Sequence, residues 1–172
     1  MFQILSIVGI LGVILAIILH RSVFGKSRQF VRRFGLIDKS IFTVVLICVL
    51  LLMITGQMEL RGWILMFHVS TGGVLIAFMA LWAILWAGAC RFGITSAKLP
   101  RFTFGEKVCF WLILALSLPV IGTVMLSMLP VFGTHGQELL VEIHEYSGLA
   151  LFLLSFFCFY LVVANRRKAS TG

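Results

Sequence analysis

The chain has 172 residues, of which 61% are hydrophobic and only 12% charged, so it is too apolar for an ordinary water-soluble domain. Its formal net charge is +8, a value that many nucleic-acid-binding domains share. Here, however, the basic residues lie in short segments between long apolar stretches, which argues against a nucleic-acid partner. We therefore interpret the chain as a multi-pass integral membrane protein.

Five apolar stretches are long enough to cross a bilayer, whose hydrocarbon core of about 30 Å takes about 20 helical residues. They are 2–19, 40–56, 63–89, 108–129 and 139–164. The second is short, but Leu36 and Ile37 before it and Met58 after it extend it to spanning length with tilt. The sequence therefore predicts an all-α membrane protein with five transmembrane helices.

The basic residues predict the orientation of these helices. Thirteen of the 14 Lys and Arg residues lie in three segments, 21–39, 91–107 and 166–168. The positive-inside rule places those segments in the cytoplasm, against anionic lipid headgroups, with the N-terminus outside and the C-terminus inside. The first stretch has no basic segment before it and no convincing cleavage site after it, which predicts a retained helix. The expected location is the bacterial cytoplasmic (inner) membrane.

The chain divides into an N-terminal helix with its basic loop, 1–35, and a four-helix bundle with a short basic tail, 36–172. Within the bundle a weak internal repeat is visible, because Asp38-Lys39 and Glu106-Lys107 each precede an apolar run that passes a glycine, turns and returns with His-x-x-x-Gly. Two repeats of the same topology can be related by a pseudo-twofold axis along the membrane normal. That symmetry predicts two histidines facing each other across the axis.

Two short motifs carry these histidines. They are Phe67-His68-Val69-Ser70-Thr71-Gly72 and Ile143-His144-Glu145-Tyr146-Ser147-Gly148. In each, a hydroxyl residue follows the histidine by three positions and a glycine by four, so all three lie on one face of a helix within about one turn. One such motif alone is also typical of helix packing, but two at matching depth indicate a shared ligand.

A flat cofactor explains these residue types. A helix that gives an imidazole to a haem iron must let the porphyrin edge approach its backbone, and a glycine removes the Cβ that would block it. The ring nitrogen that faces away from the iron needs an acceptor, which a nearby hydroxyl can provide. The predicted site therefore has His68 and His144 as iron ligands, with Gly72, Gly148, Thr71 and Ser147 beside the cofactor.

Four other polar residues each have at least one functional interpretation and one purely structural interpretation. Arg61, the one basic residue outside the three segments, is either a partner for a haem propionate or an interfacial side chain. His20 is a second haem ligand, a quinone contact, or an interfacial residue of a basic cluster. His135, in the expected loop 131–137, contacts a quinone, a metal or a partner subunit, or faces solvent. Glu145 accepts a proton from a quinol or fixes a neighbouring group, or else faces the aqueous boundary.

The last four spans resemble the family of small four-helix membrane cytochromes b, which includes the gamma subunits of formate dehydrogenases and prokaryotic b-type cytochromes that oxidise or reduce quinones. The matching residues are Ile54-Thr55-Gly56 at the end of the first core helix, Phe67-His68 with Gly72 on the next, and His144-Glu145 with Gly148 on the last. The resemblance implies a haem-binding bundle and a quinone as a second candidate ligand. The N-terminal helix lies outside the family pattern.

The family usually binds a second haem towards the cytoplasm. Its ligands are a histidine near the start of the first core helix and another about fourteen residues beyond the histidine of the last. Here 39–42 contains no histidine, and Cys158 occupies the other place. No C-x-x-C-H motif is present, which excludes covalent c-type haem by the usual motif. The resemblance therefore implies one haem b, between His68 and His144.

These features predict a membrane-anchor cytochrome b subunit that transfers electrons between a periplasmic partner and the quinone pool. The partner is expected to be a c-type cytochrome or an iron-sulfur protein, with other membrane subunits beside it. No loop is large enough for a catalytic domain, so the chain is an electron-transfer subunit rather than a catalytic one. Two alternatives remain open: a haem-free scaffold or assembly subunit, and a stand-alone quinol or superoxide oxidoreductase.

Overall fold

The structure is a computed structural model that describes residues 2–23, 36–58, 61–92 and 102–170. In this part of the chain every regular element is an α-helix. The five helices are α1 (Phe2–Val23), α2 (Leu36–Gly56), α3 (Trp63–Trp86), α4 (Phe104–Ser127) and α5 (Thr134–Ser170). Four of them, α2 to α5, are long and apolar enough to cross a membrane, whereas the apolar run of α1, Ile4–Leu19, is shorter. The all-helical, membrane-spanning class is therefore confirmed, and the fifth crossing stays a prediction.

The four long helices form two antiparallel hairpins. Residues 57–62 join α2 to α3, and residues 128–133 join α4 to α5. Among the described residues, α2 also packs against α5, and α1 packs on α5. The backbones of α3 and α4 approach each other at few positions, and these two helices meet mainly through aromatic side chains. We call the end of the bundle with these two short connections the histidine end, and the end at which α2 and α4 begin the far end.

The close-packed core of the bundle lies towards the far end. Trp82 and Phe110 are 2% and 0% exposed, and their ring centroids lie 5.2 Å apart. The Trp86 ring packs at 5.4 Å from Trp82, and the hydrogen-bonded thiols of Cys109 and Cys158 are buried in the same cluster. Lipid is as apolar as these side chains, so van der Waals packing rather than exclusion from water holds them together.

Hydrogen bonds at the ends of helices stabilise the far end of the bundle. The indole Nε1 of Trp86, near the end of α3, donates to Oδ1 of Asp38 in the first turn of α2 at 3.1 Å. At the start of α4, Thr103 and Glu106 form a reciprocal capping box, which satisfies two backbone N–H groups of the first turn. The acidic residues that begin the two hairpins are thus both buried and both structural.

Replacement of Trp86 by phenylalanine is expected to destabilise the bundle by about 1–3 kcal/mol, because it removes a hydrogen bond to a buried carboxyl group. The matched control is Trp111→Phe, which also removes an indole hydrogen bond, but one from an exposed ring to the Cys90 carbonyl. Thermal unfolding of the purified variants in detergent measures both losses. An equal or larger loss in the control would contradict a special role for the Trp86–Asp38 bond.

The start of α5 differs from the sequence prediction. The apolar pattern places 131–137 in a loop, whereas α5 begins at Thr134 and carries His135 on its first turn. Hydropathy marks only the point at which side chains become apolar, and a helix can begin earlier with polar residues. His144 therefore lies ten residues, about 15 Å, into its helix.

Some of the sequence predictions fall on parts of the chain beyond this description. The basic loop residues 24–35 and 93–101 lie outside the described residues, and so do the side chains of His20 and of 166–168.

Candidate functional site

His68 lies in the second turn of α3 and faces the end of α2. Its Nδ1 is 2.8 Å from the hydroxyl oxygen of Thr55, and that hydroxyl is itself 2.8 Å from the Leu51 carbonyl one turn earlier. A carbonyl cannot donate, so two oxygens only 2.8 Å apart require the single hydroxyl proton of Thr55 to lie between them, donated to Leu51. The hydroxyl oxygen then accepts from Nδ1–H of His68, which leaves Nε2 with its lone pair.

His144 is held in the same way by α4. Its Nδ1 lies 3.1 Å from the Thr123 hydroxyl oxygen and 3.2 Å from the Val120 carbonyl oxygen. The carbonyl cannot donate, so Nδ1 of His144 carries the proton. The Thr123 hydroxyl donates to the Pro119 carbonyl at 2.8 Å, and its oxygen is free to accept as well. Nε2 of this second imidazole therefore also carries a lone pair.

The two imidazoles are neighbours across the axis between the hairpins. Their ring centroids are 6.4 Å apart, and the ring planes are inclined at 67°. A single metal ion bound at about 2 Å by one nitrogen of each ring would place the centroids roughly 6 Å apart. The spacing of the two rings is therefore compatible with a shared metal ion.

The glycines of the two motifs border open space. A Cβ atom added to Gly72 or Gly148 would meet no other atom within 4 Å, although both glycines are half-buried. Gly122 on α4 has the same property. Each motif glycine lies one turn beyond its histidine, so this space adjoins the imidazoles. It could admit the edge of a flat ring system.

Two ligands alone do not hold a bare metal ion well. No group of three or more His, Cys, Asp or Glu side chains converges on a possible ion site anywhere in the described ranges. All four cysteines are free and buried, and they pack mainly at the far end. A macrocycle that brings its own in-plane donors needs only two axial ligands from the protein. The residues present therefore fit a bis-histidine haem better than a bare ion.

The hydroxyl groups that face the two imidazoles are not those of the motifs. Ser147 donates to the Ile143 carbonyl at 2.6 Å, on its own helix. Thr71 is buried on α3. The acceptors for the two imidazoles are Thr55 and Thr123, on the preceding helix of each hairpin. Both lie beside a glycine, at Thr55-Gly56 and Gly122-Thr123, and this pairing is the sequence signal that could have identified them.

The remaining candidate residues with described side chains are exposed on the surface of the bundle. Arg61 is exposed directly before α3, at the histidine end. His135 and Glu145 are both exposed on α5, and Glu145 borders a shallow pocket with Glu138 and Glu142. This exposure is compatible with contacts to a partner or to solvent.

Comparisons of the chain with protein-family models, with curated proteins and with solved structures find no match. A functional assignment therefore depends on the residues of the site and their geometry.

Proposed function

We propose that the chain is a membrane-anchor cytochrome b subunit that binds one b-type haem between His68 and His144. It would transfer electrons between a redox partner outside the membrane and the quinone pool. The observation that carries this proposal is the pair of facing imidazoles, 6.4 Å apart, each with Nδ1–H bonded to the neighbouring helix.

Each protein group has a defined task in this proposal. Nε2 of His68 and of His144 would hold the iron, while Gly72 and Gly148 would leave room for the ring edge. Haem supplies one-electron redox chemistry when it is bound, and two axial histidines favour electron transfer over oxygen binding. Arg61, at the same end of the bundle, is the candidate partner of a propionate.

The packing of the far end supports a single haem. Cys158 lies where the related cytochromes carry a ligand for a second haem, and here it is buried with Cys109, Trp82 and Phe110 in the core. Aromatic rings fill the space around Cys158 that a second haem would need. The single redox centre of this proposal would therefore lie at the histidine end. Electron donor and acceptor would then both be reached from that side of the membrane.

A groove beside Thr55 supports a quinone site close to the haem. It lies between the end of α2 and the start of α3, has a volume of about 470 Å³, and is mainly apolar. Its lining includes Met58, Trp63, Phe67 and Ser70. Apolar walls with a few hydroxyl groups suit a lipid-soluble ring with polar oxygens.

The proposed orientation and partners are those that the sequence predicts. Five crossings with the N-terminus outside place the histidine end at the outer face of a bacterial inner membrane. The described connections at that end are short, so substrate chemistry would belong to a periplasmic c-type cytochrome or iron-sulfur subunit. Other membrane subunits would complete the complex.

A haem-free scaffold is the main alternative, because the same hydrogen bonds also join neighbouring helices. The scaffold alternative gives no role to the Nε2 lone pairs of the two adjacent imidazoles. The reduced-minus-oxidised absorbance spectrum of the purified chain distinguishes the two: we expect a sharp b-type α band and about one haem per chain. No α band and no haem by pyridine extraction would refute the proposal. Quinol oxidation by the chain alone would instead support a stand-alone oxidoreductase.

A further inference from the structure

Nδ1 of each imidazole of the site is hydrogen-bonded to a threonine on the preceding helix of the same hairpin. Thr55, in the last turn of α2, is hydrogen-bonded to His68 on α3. Thr123, near the end of α4, is hydrogen-bonded to His144 on α5. Both threonines are at most 8% exposed, and both donate their hydroxyl proton to a carbonyl of their own helix. The hydroxyl groups therefore face the histidines as acceptors, already oriented by the helix.

The two histidines differ in the number of hydrogen-bond acceptors that face Nδ1. Thr55 is the acceptor that the described residues provide for Nδ1 of His68, at 2.8 Å. His144 has two acceptors, the Thr123 hydroxyl and the Val120 carbonyl, at 3.1 and 3.2 Å. A backbone carbonyl is retained in any side-chain variant. His144 therefore has a second acceptor that His68 lacks.

We propose that Thr55 is the positioning residue that keeps the proton of His68 on Nδ1 and its lone pair on Nε2, and that Thr123 assists the Val120 carbonyl in doing the same for His144. The inference rests on the proposed haem site, because the free Nε2 is useful there as a metal ligand. A neutral imidazole has one proton, so an acceptor at one nitrogen decides which nitrogen can bind iron. The acceptor also fixes the ring orientation before haem arrives.

The first test uses the full-length chain without haem, labelled with ¹⁵N-histidine in detergent micelles. Long-range ¹⁵N–¹H correlation spectra distinguish the two tautomers, and the loss of signals in His68→Ala and His144→Ala assigns them. We expect Nδ1–H for both residues in the parent. Thr55→Val, which keeps the branched shape but removes the hydroxyl, should abolish this preference at His68, and Thr55→Ser should restore it. Thr123→Val should leave His144 as it is, because Val120 still accepts.

The second test measures haem affinity of the same variants by titration. Loss of a hydrogen-bond partner behind a metal ligand typically weakens metal binding about 10- to 100-fold. We expect a loss of this size for Thr55→Val and a smaller loss for Thr123→Val. Thr55→Ser should bind haem with nearly the affinity of the parent. Unchanged tautomers and affinity in Thr55→Val would overturn the positioning role. If the parent chain shows Nδ1–H at both histidines but binds no haem, the proposed function is contradicted, whereas the role of the threonine hydroxyls as acceptors stands.

Discussion

Alanine in place of either His68 or His144 is expected to reduce the haem content from about one per chain to none. Each imidazole would supply one of only two protein ligands, and no third candidate ligand lies beside them in the described part of the bundle. An iron with one axial histidine would lose both affinity and the six-coordinate spectrum. Pyridine extraction and the reduced-minus-oxidised spectrum of each purified variant measure the two effects.

The matched control is His135→Ala, because His135 is exposed on the first turn of α5, two turns or more from His144. It should retain the parent haem content and α band. Full haem in either His68→Ala or His144→Ala would show that the pair does not share an iron. Loss of haem in the control as well would indicate general sensitivity of the bundle rather than ligation.

Leucine in place of Gly148 is expected to lower haem affinity by roughly tenfold or more while the bundle still folds. A Cβ at Gly148 would meet no atom within 4 Å outside its own turn of helix, so the first atom of a side chain there meets no obstruction. The leucine side chain would, however, occupy the volume proposed for the macrocycle. Haem titration gives the affinity, and thermal unfolding of the haem-free variant in detergent reports whether the fold is retained. Gly72→Leu should behave similarly.

Gly12→Leu provides the control for these glycine variants. Gly12 also has open space beside it, but it lies on α1, which packs on α5 and does not carry a motif. This variant should bind haem as the parent does. Parent-like affinity in Gly148→Leu would mean that the open space beside the motif is not the cofactor volume.

The helices of the bundle were largely predictable from the sequence, because lipid-spanning segments must be long, apolar and helical. The expected stretch 63–89 corresponds to α3, and 108–129 corresponds to α4 with four more residues at its start. The polar start of α2 was reached by extending its apolar stretch back to Leu36, whereas the polar start of α4 at Phe104 was not predicted. Asp38 and Glu106 lie within helices because an indole and a capping box bind their carboxyl groups, and these contacts are not visible in hydropathy.

The site was predictable in part. The repeated His-x-x-x-Gly spacing identifies His68 and His144, and the structure brings the two imidazoles together. The acceptors were expected within the same motif because i and i+3 residues share a helix face. They come instead from the preceding helix, where Thr55 and Thr123 face the rings across a helix–helix contact. Local spacing does not predict such a contact, since it depends on how two helices are rotated against each other.

In the proposed electron-transfer role, the dense aromatic packing of the far end would have an energetic consequence. Moving one elementary charge through the full bilayer against 100 mV costs about 2.3 kcal/mol. His68 lies only about 8 Å along α3 from its first residue, so an electron that enters and leaves there crosses a small fraction of the field. Such a subunit would work at nearly the same rate in an energised and in a depolarised cell, and it would store little of the reaction's free energy as membrane voltage.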